Sequence, residues 1–459
     1  MRRYDVLIIG GGQAGIPLSH ALARAGRRVA LAERRHLGGS CVNFGCTPTK
    51  AAIASARAAF QARRGAVFGL RIPTVEVDFP AVLDRARSIV MDFRAGLRRG
   101  FEKADNPALL RGHARIVSRG EKGFTVRVGE EEVSADRLVL NTGTRALEPP
   151  IVGLRDIPLL HSGNWLDHEE VPGHLVFIGG GYIALEMSQF YTRMGSRVTV
   201  VDEGNQILRN EDEDIVLPLQ KLLESEGIEF RLEERVERVE RVRGGVSLTV
   251  RMASGTGRIR GSTVFLSAGR RANTDDLGLE RVGLEVLEKG FLSTDERLAT
   301  KVPGIYAAGD IRGGPMFTHT SWDDFRILES QLAGDGSRTT RRIVPYAVYT
   351  DPELGRVGKT EREAKESGDS YRVGRFEMRG NGKARELSET EGVIKVLVEE
   401  KAGQILGAAV LAADGSELVH LFVDLMNAKA PYTVLRDAIH IHPTLAEAVQ
   451  SAVSGISIP

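Results

Sequence analysis

The chain has two cysteines, Cys41 and Cys46, and both fall in the segment Gly38-Gly39-Ser40-Cys41-Val42-Asn43-Phe44-Gly45-Cys46-Thr47-Pro48-Thr49-Lys50. Five residues apart, they can bridge, but not in a relaxed way within a regular helix. A strained bridge is more readily reduced. Two nearby thiols can otherwise be buried side chains or half of a metal site. Lys50 is the only lysine in the first 100 residues, in a chain that otherwise favours arginine. That usage points to a specific need for an ammonium beside a thiolate or an anionic cofactor; the alternative is an exposed lysine on a helix. Near the other end lies His440-Ile441-His442-Pro443-Thr444-Leu445-Ala446-Glu447. Pro443 turns His442 away from helical geometry and is a good first helical residue, which predicts Glu447 within the helix that follows. A carboxylate can fix one imidazole tautomer and raise its basicity. Such a histidine can deprotonate a thiol; the alternative is a capping histidine with an unrelated glutamate.

Two glycine-rich turns must position this chemistry. The apolar run Val6-Leu7-Ile8-Ile9 reads as a buried strand and meets Gly10-Gly11-Gly12-Gln13-Ala14-Gly15. A helical stretch to Arg24 and a strand from Val29 follow, ending at Glu33. The order recurs at Leu175–Ile178, Gly179-Gly180-Gly181-Tyr182-Ile183-Ala184, a helix to about Met194, and a strand Val198–Val201 ending at Asp202 and Glu203. Glu33 follows Gly10 by 23 residues, and Asp202 follows Gly179 by the same 23. One such motif is weak; two strand-flanked copies, each with its acid, indicate two dinucleotide sites. In each, the first glycine (Gly10, Gly179) allows the tight turn. The second (Gly12, Gly181) lets a pyrophosphate approach, and Gly15 or the small Ala184 lets helix pack on strand. The helix N-terminus attracts the phosphate, and the acid meets ribose hydroxyls. Two such sites suggest a path between a nicotinamide and a flavin. Asp202 and Glu203 favour NADH over NADPH, although Arg209 lies within reach of a 2′-phosphate.

Composition narrows the class. The 459 residues suggest about three domains. The net charge of +1 and 6% aromatic content give no sign of nucleic-acid binding. Two cysteines exclude a secreted disulfide scaffold and a four-thiolate zinc site. No apolar run approaches a membrane span, and the first one is too short for a signal-peptide core, so a cytoplasmic protein is expected.

From Tyr4 to about Val453 the chain resembles the flavin-dependent pyridine nucleotide–disulfide oxidoreductases, which include glutathione reductase, dihydrolipoamide dehydrogenase and mercuric reductase. The resemblance implies an α/β fold: two Rossmann-type dinucleotide-binding domains plus a C-terminal α+β dimerisation domain. The expected boundaries are 1–149 for the FAD domain, 150–270 for the NAD(P) domain, 271–335 for a central segment completing the FAD domain, and 336–459 for dimerisation. It implies that Cys41 is the interchange thiol, that Cys46 lies against the flavin, and that Lys50 pairs with Glu186 near it. Tyr182 would gate the nicotinamide pocket. Ser40 stands where the family has threonine. Gly112-His113-Ala114-Arg115 resembles the strand beside the flavin adenine. Asn141-Thr142-Gly143-Thr144 resembles an Ala-Thr-Gly turn, with Asn141 a departure. Gly269-Arg270 resembles the return toward the nicotinamide, and Ile305–Asp310 the second flavin fingerprint, ending in Asp310. In the family the His442–Glu447 block comes from the partner, so a homodimer is implied.

Cys-Thr-Pro-Thr-Lys and the run Phe317–Arg326 are similar to a mercuric-reductase-like subgroup and to bacterial reactive-chlorine-resistance flavoproteins that reduce metal ions such as copper. The expected acceptor is thus a metal ion or small disulfide, with Cys41 and Cys46 as transient metal ligands and no structural metal. The His-x-His-Pro-Thr block and Asp202 also fit dihydrolipoamide dehydrogenase. A flavin-bound redox sensor without turnover is the reading from another class.

Overall fold

The computed structural model describes residues 1–456 and contains three main sheets. In the first, Arg2–Ile9 pairs in parallel with Val29–Glu33 on one side and Glu131–Leu140 on the other. Ala108–Arg111 extends one edge. Ile305–Ala307 returns late in the chain to pair in parallel with the end of Glu131–Leu140. Alternate residues of the first strand enter different cores, as expected of a strand buried on both faces. Val6 and Ile8 pack with Leu18, Leu22 and Ile327, on the side of helices Gly15–Arg24 and Thr318–Ala333. Leu7 and Ile9 pack with Phe124, Val126 and Leu277. Phe124 and Val126 belong to an antiparallel meander, Ala114–Gly120 with Gly123–Val128, that leads into Glu131–Leu140.

The second sheet is parallel and repeats the design. Its order is Ile228–Arg231, Arg197–Val201, His174–Ile178, Thr263–Leu266, Leu159–His161. Helix Tyr182–Arg193 covers one face through Leu185 and Phe190, packed with Phe177 and Phe265. A three-stranded antiparallel sheet over residues 235–261 covers the other, where Val176 and Ile178 meet Val239 and Leu248. The third sheet is antiparallel and pairs Val393–Glu399 with Ile405–Ala412. No helix among the described residues is long and apolar enough to cross a membrane.

Two local expectations are revised, at Ala114 and after His442, and two further segments are defined. The block around Ala114 is not one strand: Gly112, at φ +143°, breaks Ala108–Arg111 from Ala114–Gly120. The two cysteines do not share a helix. Cys41 lies in Gly39–Asn43, Cys46 opens Cys46–Arg63, and the chain bends between them at Phe44-Gly45. The helix after His442 begins at Ala446 rather than at Pro443. The polar stretch Gly334–Arg342 lacks regular structure, yet its last residue is anchored. Arg342 donates to Asp323 Oδ2 and Asp324 Oδ1, each at 2.6 Å.

Asp324 explains why the run after Phe317 carries adjacent acids. It is fully buried, and it also accepts from the Gly309 N–H at 2.7 Å and from Arg312. One carboxylate thereby ties helix Thr318–Ala333 to the turn that presents Asp310. Asp324→Ala leaves two guanidinium groups without their buried partner, a loss of about 3–5 kcal/mol. Thermal unfolding of the FAD-loaded protein checks this: a large drop in Tm is expected for Asp324→Ala and a small one for the more exposed Asp323→Ala. Equal effects would contradict the assignment.

Candidate active site

The two glycine turns form matching cradles. Gly10 and Gly179 adopt φ of +109° and +103°, a region that disfavours any side chain. A Cβ on Gly10 would lie 2.3 Å from the Asn141 carbonyl, and one on Gly15 would lie 2.3 Å from the Gly10 carbonyl. The space above Gly181 is open. In the first cradle Glu33 accepts from Gly11 N–H at 2.8 Å. In the second, Asp202 accepts from Gly180 N–H at 2.6 Å, so each acid pins the turn it faces. Asn141 is a bridge between the flavin motifs: Oδ1 accepts from Gly15 N–H at 2.9 Å, and Nδ2 donates to the Ala308 carbonyl at 2.7 Å.

A cleft of about 840 Å³ runs from Glu33, Gly10, Gly12 and Ser40 past Cys41, Cys46 and Lys50 to Tyr182, Arg270 and Asp310; Ala114, Thr142 and Gly143 also line it. Thr142 and Asn273 exchange two hydrogen bonds, 2.7 and 2.9 Å, that hold the Thr142-Gly143 turn open on the cleft. Gly269, at φ +110°, turns the chain so that Arg270 reaches Thr144 Oγ1 at 2.7 Å. Asp310 Oδ2 accepts from the same hydroxyl at 3.2 Å. Burial raises the Asp310 carboxyl pKa, with Arg270 opposing the rise. Tyr182 begins its helix at the cleft wall, half-buried, and burial pushes its hydroxyl up to about 12.

At the middle of the cleft the thiols are free and paired with each other. The neighbouring Cys41 thiol, opposed by burial and aided by Lys50 and Thr318, brings the Cys46 thiol down to about 6. Losing its proton is correspondingly harder for Cys41. Lys50 Nζ lies 2.7 Å from Glu186 Oε2. Burial works against the Lys50 charge, but Glu186 and Cys46 outweigh it and raise its pKa. The arrangement favours one thiolate, at Cys46, and one thiol, at Cys41.

Comparison with known proteins identifies the family. Residues 4–324 match the pyridine nucleotide-disulphide oxidoreductase family, and 344–453 match that family's dimerisation domain. The chain belongs to this family. It is therefore an FAD-dependent oxidoreductase that uses NAD(P)H. Among its relatives is the probable pyridine nucleotide-disulfide oxidoreductase RclA of Escherichia coli, 33% identical over 99% of both chains. Another is dihydrolipoyl dehydrogenase 1, mitochondrial, of Arabidopsis thaliana, 34% identical over 98% of this chain and 89% of that one. A solved Cu(II) complex of the HOCl-induced flavoprotein disulfide reductase RclA from Escherichia coli superposes with a TM-score of 0.90, at 32% identity over the whole of both chains.

Within the family frame, the first cradle fits FAD on local grounds: side chains are excluded where the pyrophosphate must approach, and a continuous cleft leads to Cys46. The His442–Glu447 pair is formed, with Nδ1 and Oε1 3.0 Å apart, and Glu447 Oε2 accepts from Thr444 N–H at 2.9 Å. These contacts, the Thr444 N–H foremost, lower the Glu447 pKa. His442 is 77% exposed on its own protomer, while Cys41 and Cys46 line the flavin cleft. Two contacts to the redox centre come from residues that sequence reasoning passed over. Thr318 Oγ1 lies 3.3 Å from Cys46 Sγ, although 272 residues separate them. Tyr349 N–H donates to Glu186 Oε1 at 2.9 Å, and its ring lies under Lys50 Nζ. Thr318 falls in a run read only for its family resemblance, and nothing local in sequence marks Tyr349.

Proposed function

We propose that this enzyme passes electrons from NADH through FAD to a Cys41–Cys46 disulfide, and on to a metal ion or a small disulfide. The observation carrying this reading is the Cys46 site: a thiol held low by Cys41, Lys50 and Thr318, in the cleft that joins the first cradle to Tyr182. Residues 1–149 and 271–335 would hold FAD, 150–270 the nicotinamide nucleotide, and 336–459 the contacts of a cytoplasmic homodimer.

Gly10, Gly12 and Gly15 would receive the FAD pyrophosphate at a helix N-terminus, with Glu33 and Ser40 beside it and Ala114, Thr142, Gly143 and Asp310 along the rest of the cofactor. Gly179, Gly181 and Ala184 would receive the nicotinamide nucleotide, with Asp202 and Glu203 at its ribose and Gly269 and Arg270 at the return toward the flavin. Held there, FAD would supply the chemistry that converts hydride from the reduced nicotinamide into an electron pair for the Cys41–Cys46 disulfide. Tyr182 closes the nicotinamide pocket until the nucleotide displaces it. Breaking the S–S bond leaves a thiolate at Cys46, favoured by Lys50 and Thr318, and a thiol at Cys41 once one proton is taken up. His442 of the partner subunit, oriented by Glu447 of the partner subunit, removes the Cys41 proton. Cys41 then attacks an oxidised disulfide, or both sulfurs ligate a soft metal ion. With a disulfide, Cys46 attacks the mixed disulfide on Cys41, which re-forms the enzyme disulfide and releases two substrate thiols, one protonated by His442 of the partner subunit; with a metal, the electron pair passes to one Hg(II) or singly to two Cu(II) ions as the enzyme disulfide re-forms.

The Cu(II) complex of RclA favours a metal acceptor. Dihydrolipoamide oxidation is the second reading, favoured by the identity to the plant enzyme. Steady-state NADH oxidation with Cu(II), Hg(II), glutathione disulfide and lipoamide separates them. Turnover with a metal ion and none with lipoamide supports the first; the reverse establishes the second. No turnover with any of the four, coupled to a redox-dependent partner, would leave the sensor.

The nucleotide preference has its own test. Both oxygens of Asp202 are engaged by its own chain: Oδ1 accepts from Gly204 N–H at 2.7 Å and Arg209 Nε at 3.0 Å. Arg209 thus screens the acid that would repel a 2′-phosphate. NADH is the expected donor, with weaker use of NADPH. Arg209→Gln is expected to lower kcat/KM for NADPH about tenfold, the worth of one charge-assisted contact, and leave NADH nearly unchanged. An equal loss for both nucleotides would contradict this.

A further inference from the structure

We propose that Tyr349 is a positioning residue of the redox centre: its ring holds the Lys50 ammonium in place beside Cys46. This rests on the reading of Cys46 as the thiolate above. Lys50 Nζ lies 4.5 Å from the Tyr349 ring centroid while it pairs with Glu186. Glu186 is buried and fully engaged, with Oε2 taken by Lys50 and Oε1 by the Tyr349 N–H. One side of the Lys50 charge is thus a carboxylate and another an aromatic face, which attracts a cation electrostatically.

The segment carrying Tyr349 is fastened to both helices that carry the site. Two residues on, Asp351 accepts from Arg57 at 2.9 Å and from Arg193 at 2.7 Å. Its N–H donates to Gln189 Oε1 at 2.8 Å, and its carbonyl accepts from Gln189 Nε2 at 3.0 Å. Arg57 lies on the helix of Cys46 and Lys50, seven residues past Lys50. Gln189 and Arg193 lie on the helix of Glu186, three and seven residues past it. These steps keep each set on one helix face. Residues 349–351 therefore meet both helices at the redox centre and again about two turns away, and the Glu186 helix also at Gln189, about one turn on. Tyr349 lies in the segment matching the dimerisation domain, so that part of the chain completes the charge environment of Cys46. Arg57 also accounts for Glu389, which it meets at 2.8 Å, drawing the loop before Val393 onto the same helix.

The test uses the FAD-loaded protein in a Cys41→Ser background, where Cys46 is the one remaining thiol. The readout is the pH midpoint of its alkylation by iodoacetamide. Lys50 on its own helix, Glu186 and Tyr182 on the neighbouring helix, and the hydroxyl at 41 face Cys46 in every variant; Thr318 is uncharged. Only the ring at 349 changes. Tyr349→Leu is expected to raise the midpoint by roughly half to one pH unit, the worth of a partly desolvated cation–π contact. Tyr349→Phe, which keeps the ring, is expected to restore the parent midpoint. Replacement by pentafluorophenylalanine keeps the shape but reverses the ring's electrostatics, and is expected to raise the midpoint as leucine does. That variant decides the matter even if the leucine protein folds poorly. Unchanged midpoints with the fluorinated ring, or a shift with phenylalanine as large as with leucine, overturns the proposal. If the parent itself titrates as an ordinary thiol, the reading of Cys46 fails instead.

Discussion

Cys46→Ser is expected to lose NADH-dependent reduction of any external acceptor by roughly 10³-fold or more, while FAD content and thermal stability stay near wild type. Serine is close in size to cysteine and can still meet Thr318, so the fold has no reason to change. Its hydroxyl neither ionises near neutral pH nor forms a disulfide, so the electron pair has no carrier beyond the flavin. A pH dependence accompanies this result. The Cys46 thiol is held at about 6, so thiolate is present above that value and is lost as pH falls through it. Alkylation of Cys46 should rise through about pH 6, well below the ordinary thiol range. Retention of a tenth of the activity by Cys46→Ser would refute the thiol pathway.

Lys50→Met is the second large effect, and it acts in two ways. It removes the cation that favours the Cys46 thiolate, so the alkylation midpoint should rise by roughly one to two units. It also strands Glu186, whose side chain is 5% exposed. Breaking a buried pair from one side costs about 3–5 kcal/mol, less here because Lys50 keeps some solvent contact. Glu186→Gln in the Lys50→Met background removes the stranded charge and should recover much of the stability; because the Glu186 carboxylate pushes the Cys46 thiol up, the midpoint should fall only part of the way back. An unchanged midpoint in Lys50→Met alone would show that the low value does not come from the Lys50 charge. The pairing thus has a stability role and a thiolate role that the two variants separate.

Much of this is legible in the chain alone. Gly10 and Gly179 announce themselves because a positive φ and a close carbonyl leave glycine as the unstrained choice, and the equal spacings to Glu33 and Asp202 expose the repeated unit. The strands are legible because burial on both faces writes continuous apolar runs such as Val6–Ile9. Lys50 stands out through its rarity in the first 100 residues. Less legible were contacts that depend on how distant segments dock. Thr318 and Tyr349 reach Cys46 and Lys50 across hundreds of residues, and neither type is rare enough to draw notice. Asn141 read as a departure from an alanine, and only the fold shows its two amide hydrogen bonds. Asp324 belonged to a run read for resemblance; its burial among Gly309, Arg312 and Arg342 shows the physical reason for an acid there. The helix start after His442 was misplaced by three residues because Pro443 is tolerated at a first turn without requiring one.

The central claim, that electrons cross from the nicotinamide to the two cysteines through Cys46, is tested most directly by anaerobic titration of the FAD-loaded protein with NADH. A long-wavelength absorbance band from the Cys46 thiolate lying against the flavin is expected, with consumption of one further NADH per protomer compared with Cys46→Ser. Equal consumption by the two proteins, with flavin bleaching and no band from either NADH or NADPH, would contradict it.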